Sequence, residues 1–216
     1  MFKLDKEKFS QKVKDSVGSS AIRESGVYKI KILNAEYAEN DKVETKPKSI
    51  NFRYEFDGAT GYLWNLRLQK NDGTEHFQRV LFESLLYVLG IDELSEPTQG
   101  SVQLGEGKVR DFLEFKELQN KEVYVKVKRE FSKWQDKITE KLIIQNFYNP
   151  ETEQTAYEML NGKEATRIDK DRDDTEPKYT NGATPEEVEQ YLKTQQNQPS
   201  SKNIPEIKVA DDEVPF

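Results

Sequence analysis

Apolar residues recur at every second position in five stretches and at every third or fourth position in one, and the change of period lays out the chain. Tyr28, Ile30 and Ile32 alternate with Lys29 and Lys31; Ile50, Phe52, Tyr54 and Phe56 alternate with Asn51, Arg53 and Glu55. Tyr62, Trp64, Leu66 and Leu68 alternate with Leu63, Asn65 and Arg67. A period of two is that of a half-buried strand, so three strands are predicted, the second and third joined into a hairpin at Asp57-Gly58. From Thr74 to Leu89 the spacing becomes three and four, with Phe77, Leu81, Leu85 and Val88 on one face and Gly90 as the stop. That predicts a helix. A linker with Pro97, Gly100, Gly105 and Gly107 follows. Val123, Val125 and Val127 then alternate with Tyr124, Lys126 and Lys128, and a bridge from Arg129 to Asp136 leads to a last strand from Lys137 to Phe147.

The flanks read differently. Between Asp5 and Val17, Phe9, Val13 and Val17 lie four apart among lysines, the spacing of a short amphipathic helix, closed by Gly18-Ser19-Ser20. Beyond Pro150 the apolar rhythm fails, and a segment that buries so little apolar surface cannot offset the entropy of ordering; disorder is expected. Thr184-Pro185-Glu186-Glu187 is an exception, a capping box with Pro at the first helical position, and predicts a short helix near 184–196. The expected organisation is a helical arm over 1–20, one domain over 21–150 and an acidic tail over 151–216.

Charge sharpens that division. The formal net charge of -7 comes from 16 acidic and 8 basic side chains in residues 151–216, against 24 acidic and 25 basic in 1–150. The tail therefore carries -8 and the domain +1, so the low overall pI does not describe the domain surface. Cysteine is absent and His76 is the single histidine. These counts exclude disulfides, thiol catalysis, cysteine-ligated zinc and a histidine triad within one chain. Carboxylate chemistry remains, but no spaced carboxylate pair stands out on the predicted strands. Gly105-Glu106-Gly107-Lys108 fails as a phosphate loop because Val102 stands at its first glycine and Val109 follows the lysine. Asp169, Asp171 and Asp173 fail as a calcium loop because Asp174 and Thr180 occupy its glycine and glutamate positions. The expectation is a protein without catalysis, metal or cofactor. With no apolar run near the ~20 residues of a membrane span, a soluble, unexported, cytoplasmic protein is expected.

Single-strand binding needs rings on which bases stack and cations that follow phosphates, and two groups offer both. The bridge places Lys128, Arg129, Lys133 and Lys137 among Phe131 and Trp134. Either these rings stack on bases, or they fold back over the domain as core and leave the cations merely solvated. Arg53, Asn65 and Arg67 lie on the polar phase of the hairpin and, with Lys29, Lys31, Tyr124, Lys126 and Lys128, make a candidate basic surface. The bland reading is a charged solvent face, which alternation generates on any half-exposed sheet. Trp64, Tyr54 and Phe52 fall on the apolar phase and are expected in the core.

Three strands, one helix and two strands is the order of the OB-fold. Ser25-Gly26-Val27-Tyr28-Lys29-Ile30, the strand from Tyr62 to Leu68, the helix from Leu81 to Leu89 and the stretch from Leu118 to Val127 together resemble bacteriophage single-stranded DNA-binding proteins. The final six residues, Asp211-Asp212-Glu213-Val214-Pro215-Phe216, resemble the acidic tail tip of bacterial and bacteriophage proteins of that class. The resemblance implies an all-β or α+β domain, a five-stranded OB barrel with one helix between strands 3 and 4. It implies a protein that coats single-stranded DNA during phage replication or recombination, in the host cytoplasm. Through the tip it would recruit a polymerase, helicase or nuclease; self-association is left open. The alternative is an OB-fold adaptor that docks on replication factors and binds no nucleic acid itself.

Overall fold

The computed structural model describes residues 22–103 and 109–197. They divide into two compact units: one holds residues 22–130 and 140–178, the other residues 131–139 and 179–197. The expected helical arm at 5–17, the linker glycines 105 and 107, and the tip 211–216 lie outside the described residues. No helix among the described residues is long and apolar enough to cross a membrane.

Most of the described chain is antiparallel sheet with a few helices. Strands β1 (Gly26–Glu39), β2 (Lys48–Phe56) and β3 (Ala59–Arg67) precede helix α1 (Arg79–Val88). Then come β4 (Thr98–Gln103), β5 (Val109–Glu114), a single 3-10 turn at Lys116–Leu118, β6 (Glu122–Trp134) and β7 (Lys137–Tyr148). The chain continues with α2 (Ala156–Leu160), α3 (Arg167–Asp173), β8 (Lys178–Thr180) and α4 (Pro185–Asn197). Neighbouring strands run in the order β3-β2-β1-β5-β4, and β6 pairs with β1, β7 and β8. Long β1 organises the first unit: Lys31 to Glu39 pair with β2, while on the other edge Gly26 to Lys31 pair with β6 and Glu36 and Tyr37 pair with β5.

The core forms where the alternation predicts it. Ile30, Ile32, Ile50, Phe52, Tyr54, Val123, Val125 and Val127 are buried, and Phe82, Leu85 and Val88 of α1 close over them. Gly90, at φ 65°, ends α1 in a Schellman arrangement: its N–H bonds the Tyr87 carbonyl at 3.0 Å, and the Ile91 N–H bonds that of Leu86 at 2.9 Å. Asp57 and Gly58, both left-handed, make the hairpin turn.

Several expectations are corrected. The sheet has eight strands rather than five and is open, since β7 pairs with β6 alone among the described residues. The supposed linker after α1 contains β4, paired in register with β5 from Thr98↔Glu114 to Gln103↔Val109. The supposed bridge 129–136 is not a loop: β6 runs through Trp134, and Gln135 and Asp136, at φ 45° and 61°, make a two-residue turn into β7. Phe77 precedes α1 and is exposed, so the buried ridge starts at Phe82 instead. Finally, residues 156–180 are ordered, with Ala156 and Ile168 buried. Polar contacts supply what apolar area does not. The Glu158 carboxylate caps α2, accepting from the Thr155 N–H at 2.8 Å, and also takes the N–H groups of Thr166 and Arg167, each at 2.9 Å. The predicted helix near 184–196 is α4.

Candidate nucleic-acid interface

On β3, Leu63 and Leu66 point into the core, three apart, because Asn65 adopts φ 61° and bulges the strand. The extra residue reverses the expected phase. Tyr62 and Trp64 therefore lie on the face away from α1, where their rings stack with centroids 4.4 Å apart and planes 8° from parallel. Trp64 is 44% exposed. The Asn51 side chain holds the bulge, accepting the Asn65 N–H at 2.8 Å.

The same face continues across the sheet. Arg53 stands opposite Asn34 on β1 and Tyr62 on β3. On β5, Arg110 and Phe112 alternate with exposed Val109, Asp111 and Leu113. Arg110 donates from Nη1 and Nη2 to the two Glu36 oxygens, at 2.9 and 2.6 Å, and from Nη2 to the Tyr62 hydroxyl at 3.1 Å. Its guanidinium also lies 5.8 Å from the Tyr62 centroid and 5.3 Å from that of Phe112. The pairing with Glu36 raises a pKa that is already high, so Arg110 stays charged. Beneath lies a buried polar floor of Asn34, Glu36 and Glu114, in which Asn34 Nδ2 donates to Glu114 at 2.8 Å and Arg53 Nη1 donates to Asn34 at 3.4 Å. Gly100 permits this packing: a Cβ there would come within 2.8 Å of Phe112 and 2.7 Å of the Glu114 carboxylate. Three rings and two guanidinium groups thus share one sheet face, fixed from below by hydrogen bonds.

The expected site residues are distributed unevenly. Arg53 belongs to this face, and Lys31 stands near it, opposite Glu55 on β2. Asn65 forms the bulge, exposed, and Arg67 ends β3, its N–H donating to Gln78 at 3.1 Å. Lys29 pairs with Glu122 at 3.1 Å and lies 5.9 Å above the Tyr124 ring, which Arg172 approaches to 5.8 Å. Lys126 is fully buried, its ammonium donating to the carbonyls of Asp171 and Asp174. Burial pushes that ammonium's pKa down, with Asp174 partly opposing. Lys128 pairs with the Asp174 carboxylate, and Arg129 with Glu140 at 2.9 Å and Glu24 at 2.7 Å. Asp174, just past α3, therefore occupies Lys126 and Lys128, two of the cations expected to face phosphate.

The remaining three lie in the second unit. Phe131 is buried there against Tyr179 and Tyr191, at centroid distances of 6.1 and 6.5 Å, which is the core alternative for this ring. Lys133 pairs with Glu187 at 2.6 Å, while Trp134 beside the turn is 47% exposed. Tyr62, Trp64, Arg110 and Phe112 escaped the sequence reading. The Leu63-to-Leu66 spacing of three around Asn65, a residue that tolerates the left-handed region, was the available signal.

Comparison of the chain with protein-family models, with curated proteins and with solved structures gave no match.

Proposed function

We propose that the chain is a non-enzymatic single-stranded nucleic-acid-binding protein whose contact surface is the face formed by Arg53, Tyr62, Trp64, Arg110 and Phe112. The observation that carries this reading is the Tyr62–Trp64 stack, aromatic area left uncovered on a sheet and clamped beside a guanidinium. Bases and rings stack irrespective of sequence, at ~1–3 kcal/mol each, and guanidinium planes add cation–π attraction. The order β1-β2-β3-α1-β6-β7, with β1 shared between two sets of neighbours, supports reading the first unit as an OB-like domain into which the β4–β5 hairpin is inserted. By the resemblance of its domain and tip, the chain would coat single-stranded DNA in phage replication or recombination and recruit partner proteins through Asp211 to Phe216.

The chain has two tryptophans, so a Trp134→Phe variant reports from Trp64 alone. Titration with oligo-dT is expected to quench that fluorescence, and Trp64→Ala to weaken binding measured by anisotropy of a labelled oligonucleotide by roughly 5- to 100-fold. Equal affinity for duplex, or a Trp64→Ala variant that binds as the parent does, would overturn the reading. One observation favours the adaptor alternative: Glu36 neutralises Arg110, the guanidinium that lies against the rings of the face. An intact, folded protein that binds no strand at low salt would establish it.

A further inference from the structure

The connection from β3 to α1 continues the aromatic face past the end of the sheet. Leu66 points into the core, and Arg67, next along and opposite Ser49 of β2, faces as Trp64 does. From Trp64 to Leu68 the chain covers about 13 Å. There it meets its own return, and the His76 N–H donates to the Leu68 carbonyl at 3.0 Å. Phe77 follows and is 76% exposed, its ring against that of His76 with centroids 4.4 Å apart.

Hydrogen bonds hold this loop in place. The Lys70 N–H donates to the Thr74 carbonyl at 2.8 Å, Thr74 donates from its N–H and hydroxyl to Asp72 at 2.9 and 2.6 Å, and Gln78 accepts the Arg67 N–H at 3.1 Å. Lys70, His76, Phe77 and Arg79 line a shallow groove. Its carboxylates are engaged, Glu75 and Glu83 both pairing with Arg79, at 2.6 and 2.9 Å. Lys70 forms no ion pair among the described residues. The Gln78 N–H donates to His76 Nδ1 at 3.2 Å, so the imidazole hydrogen stands on Nε2 as a donor. Burial pushes the imidazole pKa down, and the charges of Arg67 and Lys70 push it further; the second cause marks a positive potential beside an open ring. A ring face, a cation and a neutral donor together suit a base with its phosphate. We propose that this connection is a second stacking subsite for the single strand bound at Tyr62 and Trp64: the Phe77 ring takes a base, and Lys70 with His76 Nε2 holds the adjoining phosphate. The proposal rests on the strand-binding reading of that face and extends it by one base and one phosphate contact.

Strand length separates the two. An oligo-dT of about four nucleotides occupies the three-ring face alone, whereas one of about twelve also reaches Phe77. By anisotropy, Phe77→Ala is expected to leave the short strand bound as the parent binds it and to weaken the long one roughly 5- to 100-fold. Phe77→Leu, apolar without a π face, is expected to lose as much, Phe77→Tyr to retain binding, and all three to melt with the parent because the side chain is exposed. Trp64→Ala is expected to weaken both lengths. Equal binding of the long strand by parent and Phe77→Ala, with Trp64→Ala still impaired, would overturn the subsite and leave the face standing; no binding at either length would overturn both. Retention by Phe77→Leu would show apolar contact in place of stacking and overturn the subsite. So would strand-free self-association of the parent, read by sedimentation and lost in Phe77→Ala, which would make the occupant a second copy of the chain.

Discussion

At the scale of single residues, the pair Arg110–Glu36 carries the most consequence. Glu36 is 2% exposed, so its carboxylate depends on the bidentate guanidinium for what water would otherwise supply. Arg110→Ala strands a buried charge, a change that costs roughly 3–5 kcal/mol. Urea denaturation is expected to show that loss, and the double variant Arg110→Ala, Glu36→Gln to recover much of it. A double variant as unstable as the single would mean that Arg110 acts through its ring contacts with Tyr62 and Phe112 rather than through the charge. Lys126 obeys the same rule from the opposite sign: a full positive charge is tolerable inside because two backbone carbonyls and the neighbouring Asp174 receive it.

At the scale of elements, a single bulge decides what β3 presents. Asn65 at φ 61° sets Tyr62 and Trp64 outside and Leu66 inside. Asn65→Gly keeps that backbone accessible, whereas Asn65→Val opposes it. The valine variant is expected to bind oligo-dT more weakly than the glycine variant, with a blue-shifted Trp64 emission in the Trp134→Phe background; equal binding would show that the bulge is incidental. Helices α2 and α3 depend on Glu158. Burial pushes its carboxyl up, but the backbone N–H groups of Thr155, Thr166 and Arg167 outweigh this and hold it at about 2, against 4.5 for a free glutamate. A depressed pKa stabilises above the unfolded value and is lost as pH falls through the folded one, so the contribution, on the order of 2–3 kcal/mol, is present above pH ~4.5 and fades toward pH ~2. The stability gap between the parent and Glu158→Gln is therefore expected to shrink between pH 5 and 3; a gap independent of pH would refute the assignment.

These elements also show what the sequence made legible. Alternation located β1, β2, β6 and β7 and the buried phase of the first three, because valines and isoleucines at period two have one physical interpretation. It misread β3, where a residue that tolerates left-handed backbone breaks the period. It missed β4, whose sequence Thr98–Gln103 holds one apolar side chain, Val102, and which is ordered by pairing with β5. The order of 156–180 was invisible because it rests on carboxylates and ammonium groups meeting distant backbone atoms, which no local pattern encodes.

At the scale of the whole molecule, the charge division becomes a statement about binding. The acidic stretch is not uniformly a free arm: Asp171 and Asp174 sit on β6 and absorb Lys126 and Lys128. That leaves Lys31 and Arg53 as the cations nearest the aromatic face that no carboxylate pairs among the described residues. Two phosphate contacts on a single strand correspond to a slope of log K against log salt of about -1.4. A shallow slope near that value is expected from oligo-dT titrations at several salt concentrations, with stacking supplying most of the affinity; a slope of about -4 or steeper would place further lysines on the strand.

The burial of Lys126 has a use apart from stability. An acylating reagent added to the folded protein reaches exposed lysine amines at once, but it reaches this one only during moments when residues 171–174 lift from the strand. The acylation rate at that single amine, read by mass spectrometry, is a clock for how often the segment detaches while the rest of the first unit stays folded.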